Sequence, residues 1–173
     1  PPEAMRIGVV TSRQGAAIKD IAESIFHRWP CARLWVFDTP VQGEGAAEKI
    51  AAAIDRANRL QKQLGLQILI VGRGGGSMED LWAFNEERVA RAIYASRIPV
   101  ISAVGHEVDT TIADLVADAR VSTPTRAGVI AVPDRRDVLH RLETAAARLQ
   151  RSAATSLQHS RMRLERITAS SVF

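Results

Sequence analysis

The chain has 173 residues, 46% of them hydrophobic, which is enough to form one substantial core. Its formal net charge is +4, and the excess lies in residues 133–173, where eight arginines outnumber four acidic residues. Residues 1–132 therefore have no net charge and give only weak evidence for a nucleic-acid surface. The single cysteine, Cys31, excludes an internal disulfide and fits a reducing compartment, the cytoplasm.

Residues 1–133 alternate between strand and helix patterns. Strands are predicted at short apolar runs, 6–10, 33–37, 66–71 and 99–104. Helices are predicted where apolar residues recur every three to four positions, 15–29, 46–63, 78–85 and 86–96, with Asp109 capping a last helix that runs to about residue 119. This order predicts an α/β domain, a Rossmann-like parallel sheet of about four strands flanked by helices. No apolar run is long enough to span a membrane.

Residues 134–173 differ from the rest of the chain. They contain no glycine or proline, and Leu139, Leu142 and Leu149 begin an apolar stripe that continues to Leu157 and Leu164. This spacing predicts a long amphipathic helix, either the start of a coiled coil or a helix packed on its own domain. We expect the chain to be an excerpt of a longer protein.

The ligand of a parallel sheet binds beyond the carboxyl ends of its strands. Thr11 and Ser12 follow the first predicted strand, and the segments 39–45, 72–77 and 105–109 follow the next three. These four segments are therefore expected to surround the functional site.

The most distinctive of these segments is the glycine turn, Gly72, Arg73, Gly74, Gly75, Gly76 and Ser77. Glycines bring main-chain N–H groups close to a ligand, and Ser77 with Asp80 resembles a capping box at a helix start. An arginine in such a turn indicates an anion, most simply a phosphate. The competing interpretation is a surface turn with a solvated arginine.

Two nucleotide-binding motifs fit the glycine turn less well. Gly72, Gly74 and Ser77 approximate a dinucleotide fingerprint, but no acidic residue follows at the end of a next strand to bind the ribose. A P-loop is excluded because no Gly-Lys-Ser/Thr follows.

His106, Asp109 and Asp20 are further catalytic candidates. His106 and Asp109 lie three residues apart after the fourth strand, where a carboxylate can orient an imidazole, although a capping role for Asp109 is the simpler reading. Asp20 lies in the second turn of the first helix, where solvent exposure is favoured. Asp114 and Asp118 are expected to be solvated or structural.

Metal and base-stacking sites have less support. The sequence has no His/Cys cluster and no dense group of loop carboxylates. Trp82 and Phe84 can stack a base, but a core or interface role is the simpler expectation.

The motifs together resemble the catalytic domain of the bacterial exodeoxyribonuclease VII large subunit over residues 6–134. The residues that carry this resemblance are Ile7–Ser12, Gly15–Ala17 with Asp20, Val41–Gly43, Ile70–Ser77, Glu79–Trp82, Phe84–Asn85, Arg88–Ile93, Ser96–Val100, Ser102–Glu107, Asp109, Thr111–Ile112, Asp114, Val116–Asp118 and Thr123–Thr125.

The resemblance implies an enzyme that hydrolyses single-stranded DNA from either end and releases oligonucleotides. It also implies catalytic roles for Asp20, Arg73, His106 and Asp109. For Asp20, this role replaces the expectation that its side chain faces solvent. Residues 134–173 resemble the first part of a helical arm that binds copies of the small subunit. The family also has an N-terminal OB-fold and a returning final segment that are not in this sequence.

One departure from the family pattern follows Thr123-Pro-Thr125. The family usually has small residues and then a glutamate there, whereas this chain has Arg126-Ala-Gly-Val129-Ile130. The expected consequence is a local change in packing or in a minor site contact.

The expected chemistry places a DNA phosphate on the amides of residues 72–76, with Arg73 on its non-bridging oxygens. His106 acts as general acid or base, oriented by Asp109 or Asp20. No cofactor is expected to be obligatory, since arginine and N–H groups can stabilise the charge, although Mg²⁺ can assist. The competing classes are a non-catalytic binding and assembly segment and a nucleotide-dependent oxidoreductase or transferase.

Overall fold

A five-stranded, fully parallel sheet forms the centre of the fold. The computed structural model describes residues 4–74, 78–105 and 109–170. The strands are β1 (Arg6–Thr11), β2 (Arg33–Asp38), β3 (Ile68–Gly72), β4 (Val100–Ala103) and β5 (Ala119–Arg120), in the order β2-β1-β3-β4-β5. The predicted α/β class is confirmed. The fifth strand was not predicted because two residues are too short for a periodic pattern.

Helices cover both faces of this sheet. The α-helices are α1 (Ala16–Arg28), α2 (Ala46–Leu64), α3 (Glu87–Tyr94), α4 (Ile112–Val116), α5 (Pro124–Ala131) and α6 (Arg135–Ser170), and a 3-10 helix spans Met78–Asn85. The predicted helix at 78–85 is therefore present in the tighter 3-10 form.

The side chains of β1 alternate between two cores. Ile7 and Val9 belong to the core that α1 and α5 cover, whereas Val10 belongs to the core beneath α2 and α3. All five residues of β3 are buried, as expected for a strand covered on both faces. The sheet is thus held from both sides by apolar burial, which is the main stabilising contribution in such a domain.

The start of α4 differs from the prediction. Thr111, not Asp109, is the N-cap, and its hydroxyl accepts a hydrogen bond from the main-chain N–H of Asp114. The Asp114 side chain accepts in return from the main-chain N–H of Thr111, so the two form a capping box. The predicted cap at Asp109 is therefore wrong, and the helix ends at Val116 rather than near residue 119.

The chain divides into two compact units, Pro1–Pro133 and Asp134–Phe173. The second unit is α6, which begins where an Asp134 carboxylate oxygen accepts from the Arg136 main-chain N–H at 2.9 Å. Its apolar residues Leu139, Leu142, Leu149, Leu157, Leu164 and Ile167 are 52–72% exposed. Among the described residues, no helix combines the length and apolar character needed to cross a membrane.

Gly128 allows α5 to pack closely against α1. A Cβ atom added at Gly128 would lie 2.7 Å from the Cβ of Ser24 and 3.0 Å from the main-chain oxygen of Ile21. The Ser24 hydroxyl donates to the Thr125 main-chain oxygen at 2.9 Å, which ties the two helices together. The close α1–α5 contact therefore requires glycine at position 128. The consequence expected from the departure after Thr125 stays a prediction.

Gly128→Ala is therefore expected to destabilise the fold by about 1–2 kcal/mol. Alanine in a helix interior gains roughly 0.5–1 kcal/mol over glycine, but overpacking a well-packed contact costs about 1–3 kcal/mol, so the steric loss is larger. Urea unfolding of the chain followed by circular dichroism measures the difference. A variant more stable than the wild type would show that α5 has room to move away from α1.

Candidate active site

The predicted site segments meet at the carboxyl edge of the sheet. β1 lies between β2 and β3, so the connection after β1 and the connection after β3 leave in different directions. In open α/β sheets, a crevice forms at such a point and binds the ligand. Ser12 follows β1 there, and Arg73 and Gly74 follow β3.

A cavity of about 360 Å³ occupies this crevice. Its walls come from the segments after β1, β2 and β3: Ser12, Gln14, Gly15, Ala16, Pro40, Val41, Gln42 and Gly74. A Cβ atom added at Gly74 would lie 3.7 Å from the main-chain nitrogen of Ala16 and 3.6 Å from that of Ala17. Gly74 therefore lies close to the first turn of α1.

The start of α1 leaves its amide groups available to an anion. Gly15 is the N-cap, and no side chain caps the helix there. The first N–H groups of a helix have no partner within the helix, and the helix dipole makes this end positive. Pro40, Val41 and Gln42 lie in the segment 39–45, which was predicted to border the site. Gln14 and the α1 amides were not among the predicted site residues. The lack of Ser, Thr, Asp or Asn at the cap position was the sequence signal that could have indicated them.

Thr11 ends β1 in a buried position. Its side chain is 1% exposed, and within the described residues its hydroxyl has no hydrogen-bond partner. A buried hydroxyl without a partner is unfavourable, so a ligand oxygen is a reasonable partner for it. Ser12, the next residue, lines the cavity directly. Phosphate binding by these two residues stays a prediction.

Arg73 is buried rather than solvated. Its side chain is 3% exposed, and its main-chain N–H donates to the Ala103 oxygen of β4 at 3.4 Å. The competing interpretation of a solvated arginine on a surface turn is therefore wrong. A charge in such an environment is screened less than one in water, so its interaction with a phosphate would be stronger.

The remaining glycine-turn residues divide into two groups. Gly72 is the last residue of β3 and pairs with Ala103, where an added Cβ would lie 3.2 Å from the Ala103 main-chain oxygen. Gly75, Gly76 and Ser77 lie outside the described residues, and so does the predicted capping box with Ser77.

The segment after β4 is held at both ends. His106 lies outside the described residues, whereas Gly105 and Asp109 on either side of it are described. A Cβ atom at Gly105 would overlap the main-chain oxygen of Asp109 and lie 2.7 Å from Asp114 Oδ2. Since Gly72 and Ala103 are paired neighbours, the structure places Arg73 beside the end of β4 that leads to His106.

Asp114 is structural, one of the two roles expected for it. It is 4% exposed, and its Oδ1 accepts from the Ser102 hydroxyl at 2.6 Å. Its Oδ2 accepts from the main-chain N–H and the hydroxyl of Thr111, both at 2.9 Å. Asp118 is structural too, because its Oδ2 accepts from the Val100 main-chain N–H at 2.8 Å.

Asp20 lies away from the crevice cavity. It is exposed on α1 and lines a separate cleft of about 460 Å³ between α1 and α5. Val129, the position where the family usually has glutamate, lines the same cleft. The two cavities share no lining residue. The structure thus brings Ser12 and Gly74 together and does not bring Asp20 into that group.

The two aromatic candidates have different environments. Phe84 is fully buried in the core beneath α2 and α3, as expected for a core residue. Trp82 is 73% exposed. Across residues 4–74, 78–105 and 109–170, no group of three or more His, Cys, Asp or Glu side chains is arranged to hold a metal ion.

Comparison with known proteins gives a consistent match. The family described as "Exonuclease VII, large subunit" matches residues 1–172. The chain is 52% identical over 173 residues to the exodeoxyribonuclease 7 large subunit of Halalkalibacterium halodurans, covering all of this chain and 37% of that protein. It is 50% identical over 165 residues to the same protein of Lysinibacillus sphaericus, covering 95% of this chain and 36% of that protein. It is 49% identical over 174 residues to the exodeoxyribonuclease 7 large subunit of Streptococcus pneumoniae, covering all of this chain and 38% of that protein. The chain thus spans 36–38% of the length of these relatives.

Proposed function

The chain belongs to the family of the exonuclease VII large subunit, and we propose that it forms the catalytic part of an enzyme that hydrolyses phosphodiester bonds in single-stranded DNA. The enzyme acts from both ends of the strand and releases oligonucleotides. The observation that supports this most directly is the shared cavity of Gly74 and the uncapped start of α1, beside the buried Arg73.

This arrangement can bind one phosphate from several directions. Main-chain N–H groups at a helix start and in a glycine turn suit an anion. The Arg73 guanidinium can donate two parallel hydrogen bonds to non-bridging oxygens, which fixes the orientation of the phosphate as well as its charge. Gly72, Gly74, Gly75, Gly76, Ser77, Thr11 and Ser12 form the proposed phosphate-binding set.

His106 is the proposed general acid or base. A neutral imidazole can take a proton from the attacking water, and the protonated form can then give a proton to the leaving oxygen. Of the two carboxylates proposed to orient it, Asp109 has the stronger support. It follows β4 on the same segment as His106, whereas Asp20 lies in the separate α1–α5 cleft.

The proposed charge stabilisation comes from Arg73 and main-chain N–H groups, which act without a metal ion. No obligatory cofactor is proposed, and Mg²⁺ can assist the reaction. Partial retention of activity in EDTA, compared with activity in Mg²⁺, is the expected behaviour.

The direct test uses the full-length large subunit assembled with its small subunit. End-labelled single-stranded and duplex oligonucleotides are incubated with the enzyme, with and without EDTA, and separated on a gel. The proposal expects oligonucleotide products from the single strand and none from the duplex. Binding of the single strand without products would favour the non-catalytic binding and assembly class. Thermal stabilisation by NAD(H) or ATP, without DNA cleavage, would favour a nucleotide-dependent enzyme.

We further propose that α6 binds the small subunit. Its leucines at 142, 149 and 157 are 61–72% exposed and recur at intervals of seven and eight residues, the spacing of a helix that packs against another helix. The relatives are named as large subunits, which implies that those proteins have a second subunit.

Leu149→Asp together with Leu157→Asp is expected to weaken small-subunit binding at least about 100-fold, since each leucine contributes roughly 1.5–3 kcal/mol when buried. Co-purification and analytical ultracentrifugation measure the loss. Thr144→Asp with Thr155→Asp is the control, because it adds the same two negative charges on the opposite side of the helix, at exposed positions. Normal assembly of the double leucine variant would show that this stripe is not the interface.

A further inference from the structure

A hydrogen-bond network links β4, the start of α4 and β5. We name it the Asp114 network: Ser102, Asp109, Thr111, Asp114 and Arg120. Asp114 accepts hydrogen bonds from Ser102 on β4 and from Thr111 at the start of α4. One buried carboxylate thus joins β4 to the start of α4.

Arg120 extends this network to the segment between β4 and α4. Its Nε lies 3.8 Å from Asp114 Oδ2, and its terminal Nη2 donates to the main-chain oxygen of Asp109 at 3.3 Å. Arg120 belongs to β5, where it pairs with Ser102 of β4. The unpredicted two-residue strand therefore aligns Arg120 with both Asp114 and Asp109.

The other end of the segment contacts the same groups. The space around Gly105 has no room for a side chain, because Asp109 and Asp114 occupy it. Gly105 and Asp109 are four residues apart in sequence, with His106 between them in the chain. Their separation is fixed through the Asp114 network, whose members are held in turn by β4, α4 and β5.

We propose that Asp114 and Arg120 are positioning residues for the reaction. They hold Gly105 and Asp109, the described residues that flank His106 in the sequence, at a set distance. This inference rests on the proposed nuclease function. A displacement of about 1 Å in a reacting group can cost about 100-fold in rate, so a network that acts only through this segment can have a large effect on turnover.

Arg120→Ala in the full-length enzyme with its small subunit is the main test, because the Arg120 side chain is partly exposed and its removal leaves the apolar core unchanged. The proposal expects kcat to fall about 10- to 100-fold, with the Kd for single-stranded DNA and the melting temperature unchanged. Arg97→Ala is the control, since Arg97 is an exposed arginine that precedes β4 at the opposite edge of the sheet. It should retain wild-type kcat.

An oligonucleotide in which sulfur replaces the bridging oxygen expelled at the scissile bond, the 3′- or the 5′-oxygen as the product termini identify it, separates positioning from general damage. Its thiolate leaving group needs no proton, so misplacement of the general acid should slow its cleavage less than that of the ordinary substrate. Asp114→Asn, which removes one acceptor oxygen and the charge, is expected to show the same difference. An equal loss on both substrates, accompanied by a lower melting temperature, would reduce the network to a structural role.

The outcomes for the two proposals are distinguishable. If the wild type and Arg97→Ala fail to cut single-stranded DNA, the proposed function is wrong. If both cut it and Arg120→Ala cuts it equally fast, the nuclease function stands and the positioning role is wrong. If Asp114→Asn does not fold, Arg120→Ala still decides the question.

Discussion

Arg73→Lys in the full-length enzyme is expected to lower kcat by about 10²–10³-fold, the usual cost of losing one donor that stabilises transition-state charge. Lysine keeps the positive charge but lacks the planar pair of donors that binds two phosphate oxygens. It is also more strongly hydrated, which makes the buried position of Arg73 unfavourable for it. Arg73→Ala should be only slightly slower than Arg73→Lys.

Single-turnover cleavage of labelled single-stranded DNA measures this loss, with melting temperature as the check on folding. Arg91→Lys is the matched control, because Arg91 is an exposed arginine that pairs with Glu87 on α3. Partial recovery of Arg73→Ala by added guanidinium would assign the loss to the missing side chain. Near-normal turnover of Arg73→Lys would contradict bidentate binding of the phosphate.

His106→Ala is expected to reduce hydrolysis by at least about 10²–10⁴-fold, the usual contribution of a positioned general acid or base. The affinity for single-stranded DNA should remain close to that of the wild type, because the proposed phosphate contacts come from Arg73 and main-chain N–H groups. Single-turnover kinetics and fluorescence anisotropy measure the two quantities separately.

His140→Ala is the matched control, since His140 is exposed on α6. It should leave both the rate and the affinity unchanged. Loss of DNA binding in His106→Ala, together with loss of cleavage, would instead assign His106 to substrate positioning. An unchanged rate would remove it from the chemistry.

The parallel sheet was predictable because its signals are local and repeated. β3 reads as a continuous apolar run, and α2 shows the periodic pattern of a helix with one buried face. The two-residue β5 has no such signal, since its place depends on pairing with β4. α5 was also missed, although Thr123 caps it and Pro124 opens it, a combination typical of a helix start.

The site was predictable in part, for a related reason. Chain order alone indicates that Ser12 and Gly74 lie at one edge, and the cavity there contains both. The Thr111–Asp114 capping box is the actual helix start, whereas the cap was predicted at Asp109. Burial of Arg73 and the long-range contacts of Arg120 depend on packing between separate elements, which no local pattern records.

The central claim is that a DNA phosphate binds between the start of α1 and the turn that carries Arg73. The most direct measurement is a structure of the full-length His106→Ala enzyme with its small subunit and a single-stranded oligonucleotide. We expect a backbone phosphate within hydrogen-bond distance of the Arg73 guanidinium and of the main-chain nitrogens of Ala16 or Gly74. A strand that follows another path and leaves this crevice to solvent would contradict the account.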